Sequence, residues 1–164
     1  MAIWTPMRIA AIGGPVALVL GWNAMSMSGR KATVDQTVVP GLAVVLTPST
    51  PKTPAAGDRA TRVFVVLTMS GHQPARSGRV EVLVRAVKGG GGERSEIGRF
   101  AIFPSESFTP AMPDKTRQDR FEIKNCTPDD VLGGRCRIEV ELAPVGGTGE
   151  GASLIVARSE FEFR

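Results

Sequence analysis

The sequence of 164 residues has a single histidine, no tyrosine and only two cysteines. A zinc site of three histidines and a coupled two-copper centre both need more imidazole ligands than His72 alone can supply. A Ser-His-Asp triad would also have to use His72, and the Gly-x-Ser-x-Gly motif of the α/β-hydrolases is absent. We therefore predict no catalytic residue, no metal ligand and no bound cofactor in this chain.

The net charge of +4 comes mostly from the N-terminal third of the sequence. Residues 1–56 hold Arg8, Arg30, Lys31 and Lys52 against Asp35 alone, which leaves sixteen basic and fifteen acidic side chains for residues 57–164. Nucleic-acid binding depends on clustered lysine and arginine, commonly with aromatic rings for base stacking. Basic residues here alternate with acidic ones, so we predict no nucleic-acid partner.

Residues 1–28 are expected to be an apolar leader of the signal-peptide kind. Residues 9–22 carry no charge, and a helix of that length spans about 21 Å, short of the roughly 30 Å of a bilayer core. Small residues at Ala24, Ser26 and Ser28 suit a signal peptidase. We expect export to the exterior or to an organelle lumen, with membrane contact only through an uncleaved leader. An apolar element of a longer parent protein is the alternative.

The remaining sequence has the short apolar or alternating runs, divided by Gly, Pro and Ser, that are typical of a β-domain. In the clearest run, Cys136, Ile138, Val140 and Leu142 share one face, predicted to point inward, and the charged residues 135, 137, 139 and 141 share the other, predicted to face solvent. One helical turn is predicted at residues 127–132, with Thr127 as its N-cap. Seven strands are predicted, at residues 38–46, 62–69, 79–87, 97–103, 119–124, 135–142 and 154–163.

These runs predict an all-β fold, either a seven-stranded antiparallel sandwich or a partly closed barrel. We place the sandwich domain at residues 61–164. Residues 29–60 precede it as one strand followed by a proline-rich linker that contains Pro48, Pro51 and Pro54.

Cys126 and Cys136 flank nine residues between two predicted strands. A disulfide closing this hairpin fits an exported protein. Two reduced thiols are the alternative, with Cys136 as a small inward-facing side chain beside Ile138. Asn125-Cys126-Thr127 also matches the N-glycosylation pattern, a match so frequent by chance that we assign no glycan to it. His72, between two strands, is expected to be a solvated loop residue.

The order of these segments resembles the C-terminal β-domain of plant-type polyphenol oxidases, the catechol oxidases and tyrosinases. The resemblance covers roughly residues 60–164, without the histidine-rich copper domain. The segments that carry it are VFVVLTM at 63–69, VEVLVR at 80–85, IGRFAIFP at 97–104, residues 121–123, TPDDVLGG at 127–134, CRIEVELAPV at 136–145 and LIVARSEFEF at 154–163.

The resemblance implies a regulatory domain that shields a type-3 copper site and keeps the oxidase latent by placing a side chain over its entrance. The partner would be a copper oxidase domain, in cis or in trans, and the copper would belong to that partner. No catalytic activity is expected from this chain alone. Phe103 and Phe108, in the loop around Pro104, are the candidates for the shielding side chain. The alternatives are an exported carbohydrate- or protein-binding β-sandwich and a surface-anchored structural module.

Overall fold

Two four-stranded antiparallel sheets pack face to face in the computed structural model, which describes residues 35–49, 62–89, 93–102 and 106–164. The predicted sandwich is confirmed and the barrel alternative is wrong, because the sheets do not close on each other. The described residues form eight strands instead of seven: β1 (Gln36–Val38), β2 (Val44–Leu46), β3 (Val63–Gln73), β4 (Arg79–Lys88), β5 (Arg94–Phe100), β6 (Arg117–Ile123), β7 (Cys136–Val145) and β8 (Ser153–Phe163).

The strand order is β1-β8-β3-β6 in sheet A and β2-β7-β4-β5 in sheet B. Alternate side chains of the central strands point between the sheets, as the period-two pattern predicts. These side chains form one core, and its largest fully buried members are Leu67, Met69, Ile138, Leu142, Leu154, Val38, Val63, Val65, Val82, Val84 and Val140.

The strand predicted at residues 38–46 is two short strands in different sheets. β1 pairs with β8, and β2 pairs with β7. Between them the chain turns at Gly41, whose φ of +76° favours glycine, and Leu42 N–H donates to the Val39 carbonyl at 3.3 Å. After β2 the chain returns to sheet A, where Ser49 N–H donates to the Ser159 carbonyl on β8 at 2.9 Å. Residues 36–49, which we name the seam, therefore close one side of the sandwich.

The other strands also begin or end away from their predicted limits, by one residue at β4 and β8 and by more elsewhere; β7, for example, ends at Val145 instead of residue 142. β3 continues to Gln73 instead of ending at residue 69, because two register shifts against β8 absorb the irregular residues. β5 ends at Phe100 instead of residue 103, and β6 begins at Arg117 instead of residue 119.

A short α-helix, α1 (Pro128–Leu132), connects β6 to β7. Thr127 is its N-cap, as predicted, and Gly133 is its C-cap. The helix contacts β7, and along the chain it lies between Cys126 and Cys136.

Candidate functional site

The loop between β5 and β6 is the segment in which the shielding side chain was predicted. Phe108 fastens this loop to the end of β3: its N–H donates to the His72 carbonyl, and the His72 N–H donates to the Phe108 carbonyl, both at 2.9 Å. The two rings lie 6.0 Å apart, and Phe108 is 7% exposed. Phe108 is therefore an anchor between the loop and the core.

His72 is buried, at 5% exposure, so the prediction of a solvated loop residue is wrong. β3 extends through it, and its Nδ1–H donates to the Ser153 carbonyl on β8 at 3.2 Å. Because a carbonyl only accepts, this bond assigns the proton to Nδ1. Burial lowers the pKa of His72 below its usual value, and the bond to Ser153 opposes that shift only in part.

Beyond Phe108 the loop folds into a compact tip, residues 109–115. Met112 N–H donates to the Thr109 carbonyl at 2.9 Å, and Lys115 N–H donates to the Met112 carbonyl at 3.0 Å within a 3₁₀ turn. Lys115 Nζ also lies 3.3 Å from the Glu106 carboxylate at the base of the loop. The tip presents Met112 to solvent at 42% exposure.

The structure describes only one of the two predicted shielding residues. Phe103 lies outside the described residues, and Phe108 faces the core, so the role implied for them stays a prediction. Among the described residues of this loop, Met112 is the large apolar side chain that is exposed, and the sequence pattern did not predict it. The sequence did contain a signal for Met112, which lies between Pro110 and Pro113. Prolines on both sides restrict the backbone and so favour a turn with an apolar residue in it.

At another point of the sandwich, a disulfide joins Cys126, just after β6, to Cys136 at the start of β7. Their Cα atoms are 6.1 Å apart and both residues are buried, at 4% and 6% exposure. The disulfide predicted from the spacing is confirmed, and the alternative of two free thiols is wrong.

The carboxylate of Asp130 organises the chain inside this disulfide loop. Its Oδ2 accepts from Thr127 N–H at 3.1 Å and from Thr127 Oγ1 at 2.9 Å, while Oδ1 accepts from Arg135 Nε at 3.2 Å. Lys88 Nζ on β4 lies 3.0 Å from Oδ2. The bond from the Thr127 backbone, followed by the contact with Lys88, holds the pKa of Asp130 well below its usual range. Asp130 is thus a fixed anion that ties α1 to sheet B.

Opposite charges pair across the outer faces of the sheets. On sheet B, Arg85 lies 2.6 Å from Glu141, and Arg94 lies 3.5 Å from Glu139. Glu139 was predicted to face solvent but is 8% exposed, because Val45 and Arg85 flank it on the neighbouring strands. The charges on these strands are thus arranged as pairs.

The described residues contain no group of three or more His, Cys, Asp or Glu placed to hold a metal ion. Within the same ranges, no helix has the length and apolar character needed to cross a membrane. Comparison with protein-family models, curated proteins and solved structures gives no match to this chain.

Proposed function

We propose that this chain is an exported, non-catalytic β-sandwich that covers the active-site entrance of a type-3 copper polyphenol oxidase, in cis or in trans. The described parts of the segments that carry the family resemblance fall in chain order on β3 to β8 and α1. The observation that carries the proposal is the tip: an apolar side chain projects from a loop that Phe108 fixes to His72.

The geometry of the tip suits a covering role. A side chain that enters a cleft binds with less loss of entropy when its backbone is already ordered. Hydrogen bonds at Thr109 and Lys115 and the anchor at Phe108 order the backbone on both sides of Met112. Methionine is unbranched and flexible, so it adapts to an irregular pocket. We therefore propose that Met112 is the side chain that enters the oxidase.

In this proposal the partner holds the copper and this chain acts sterically. We expect the purified chain to bind no copper and to oxidise no catechol. Stoichiometric copper in the purified chain, or measurable diphenolase activity, contradicts the proposal. Export is part of the proposal because a buried disulfide suits an oxidising compartment.

Capture from the native source tests the partnership. The full chain serves as bait, and bound proteins are identified by mass spectrometry and assayed for copper and catechol oxidation. We expect a type-3 copper oxidase in stoichiometric amount with the native bait, and much less of it with Met112→Asp. A native bait that retains other proteins and no copper oxidase overturns the proposal.

A second candidate is a β-sandwich that binds a different protein through the seam. Val39, Leu42 and Val45 are 39%, 59% and 48% exposed, and they fall within seven residues. Exposed apolar residues gathered in one segment are typical of protein contact sites. Binding that is lost with Leu42→Asp and kept with Met112→Asp would favour this candidate over the oxidase shield.

A further inference from the structure

Asn125-Cys126-Thr127, the N-glycosylation pattern, lies between the end of β6 and the start of α1. We infer that these three residues form a structural clip, and that a glycan on Asn125 and the native fold exclude each other. Each of the three side chains is engaged in the folded protein.

The Asn125 amide bridges the two strands of the β4–β5 hairpin. Its Nδ2 donates to the Ala86 carbonyl on β4 at 3.2 Å and to the Glu93 carbonyl, just before β5, at 3.4 Å. An amide nitrogen has two hydrogens, so these two bonds use both of them. Its Oδ1 is also buried and accepts no hydrogen bond from the described residues, so the two Nδ2 bonds are what hold the amide.

The other two residues of the motif are equally occupied. Cys126 is 4% exposed and bonded to Cys136. Thr127 Oγ1 accepts from Asp130 N–H at 3.2 Å and donates to the Asp130 carboxylate at 2.9 Å. The Cys126 sulfur and the Thr127 hydroxyl are therefore both engaged once the disulfide and the helix cap have formed, although Thr127 itself lies at the surface.

N-glycosylation would remove part of this clip. The reaction forms a bond between Nδ2 and C1 of a sugar, breaks the bond from that sugar to its polyisoprenyl diphosphate carrier, and releases one Nδ2 proton. The modified amide keeps a single hydrogen for two carbonyl acceptors. The sugar would also have to occupy the position of the Ala86 or the Glu93 carbonyl, which are parts of a paired hairpin.

The test is production of the full chain in a eukaryotic secretory host that glycosylates Asn-x-Thr. Intact mass is measured before and after peptide-N-glycosidase treatment, in the secreted and the retained fractions. We expect secreted, disulfide-bonded chain without a glycan. Cys136→Ser leaves the motif unchanged and removes the disulfide, so we expect it to raise glycan occupancy at Asn125 severalfold.

A positive control is available in the same chain. Gly146→Asn creates Asn-Gly-Thr on an exposed bend where an added Cβ meets no atom within 4 Å, and Asn adopts the positive φ of +69° at this position more readily than most residues. This variant should be secreted with a glycan at residue 146. A secreted, disulfide-bonded chain with a glycan on Asn125 overturns the inference. So does Cys136→Ser without a glycan while the Gly146→Asn control is modified.

Discussion

Gly98 on β5 lies directly against the ring of Phe121 on β6: a Cβ at residue 98 would overlap Cδ1 of Phe121. β5 is an edge strand of sheet B, and β6 is an edge strand of sheet A. The Phe121 ring stacks on Phe100 with 5.7 Å between the ring centroids. This pair of aromatic rings closes the side of the sandwich opposite the seam, and it fits only because residue 98 has no side chain.

Gly98→Ala should lower the free energy of unfolding by about 1–3 kcal/mol, the usual cost of overpacking. At an unobstructed site the same change raises the free energy of unfolding by up to about 1 kcal/mol. Whether Gly98→Ala raises or lowers that free energy therefore shows whether Phe121 obstructs residue 98. Urea denaturation measures this change in the free energy of unfolding. Combining Gly98→Ala with Phe121→Leu should cost less than the sum of the two single changes, and a stabilising Gly98→Ala contradicts the close contact.

The disulfide should stabilise the fold by about 3 kcal/mol, the value that the loop-entropy model gives for a short closed loop. Replacing both Cys126 and Cys136 by serine removes this constraint on the unfolded chain. Thermal and urea unfolding of the variant, compared with the oxidised native chain, give the difference. Equal stability of the two proteins would show that the bond does not support the fold.

Protonation of His72 should destabilise the protein in mild acid. Its pKa in the folded chain lies below the unfolded value of about 6.5, so above that pH both states are neutral at this residue. As the pH falls below about 6.5, the unfolded chain binds the proton first and the free energy of unfolding decreases. The free energy of unfolding stops decreasing on account of His72 once the pH is also below the pKa of His72 in the folded chain.

The measurement is urea denaturation between pH 7 and pH 5, with His72→Gln as the control. We expect the native chain to lose stability over this range and the variant to change much less. Equal slopes for the two proteins would place the pH dependence on other groups.

Thr127→Ala should cost about 1 kcal/mol, as for other N-cap residues. The change removes the acceptor for Asp130 N–H and one donor to the Asp130 carboxylate. Thr127→Ser keeps both bonds and is the matched control, which should retain nearly full stability. Equal losses in the two variants would mean that the hydroxyl does not cap α1.

Strand alternation and helix capping were sufficient to predict most of the fold. The alternating positions from Cys136 to Leu142 are buried as predicted, and Thr127 caps α1. The eighth strand could not be predicted, because residues 38–46 read as one apolar run and the change of sheet at Gly41 depends on contacts with β7 and β8. Register shifts carry β3 past Gly71, and these depend on β8 as well.

The candidate site was less predictable, because it depends on contacts between residues far apart in sequence. The neighbouring Gly71 and Pro74 predict a loop at His72. In the structure His72 lies on β3 and is buried, with hydrogen bonds to Phe108 and Ser153. An aromatic residue in a polar loop does not reveal whether it faces the core or solvent. Because Phe108 packs into the core, Met112 is the exposed large apolar side chain among the described residues of this loop.

Inhibition of a copper oxidase tests the proposed function most directly. The oxidase captured from the native source is freed of any covering domain, and its catechol oxidation is measured against increasing concentrations of the native chain, Met112→Asp and Leu132→Asp. Leu132 is exposed to a similar extent, 45%, on α1.

We expect the native chain and Leu132→Asp to inhibit at the same concentration, and Met112→Asp to need at least about tenfold more, a difference of about 1.4 kcal/mol. No inhibition by the native chain, or equal inhibition by Met112→Asp, contradicts the proposal that this tip covers the active-site entrance.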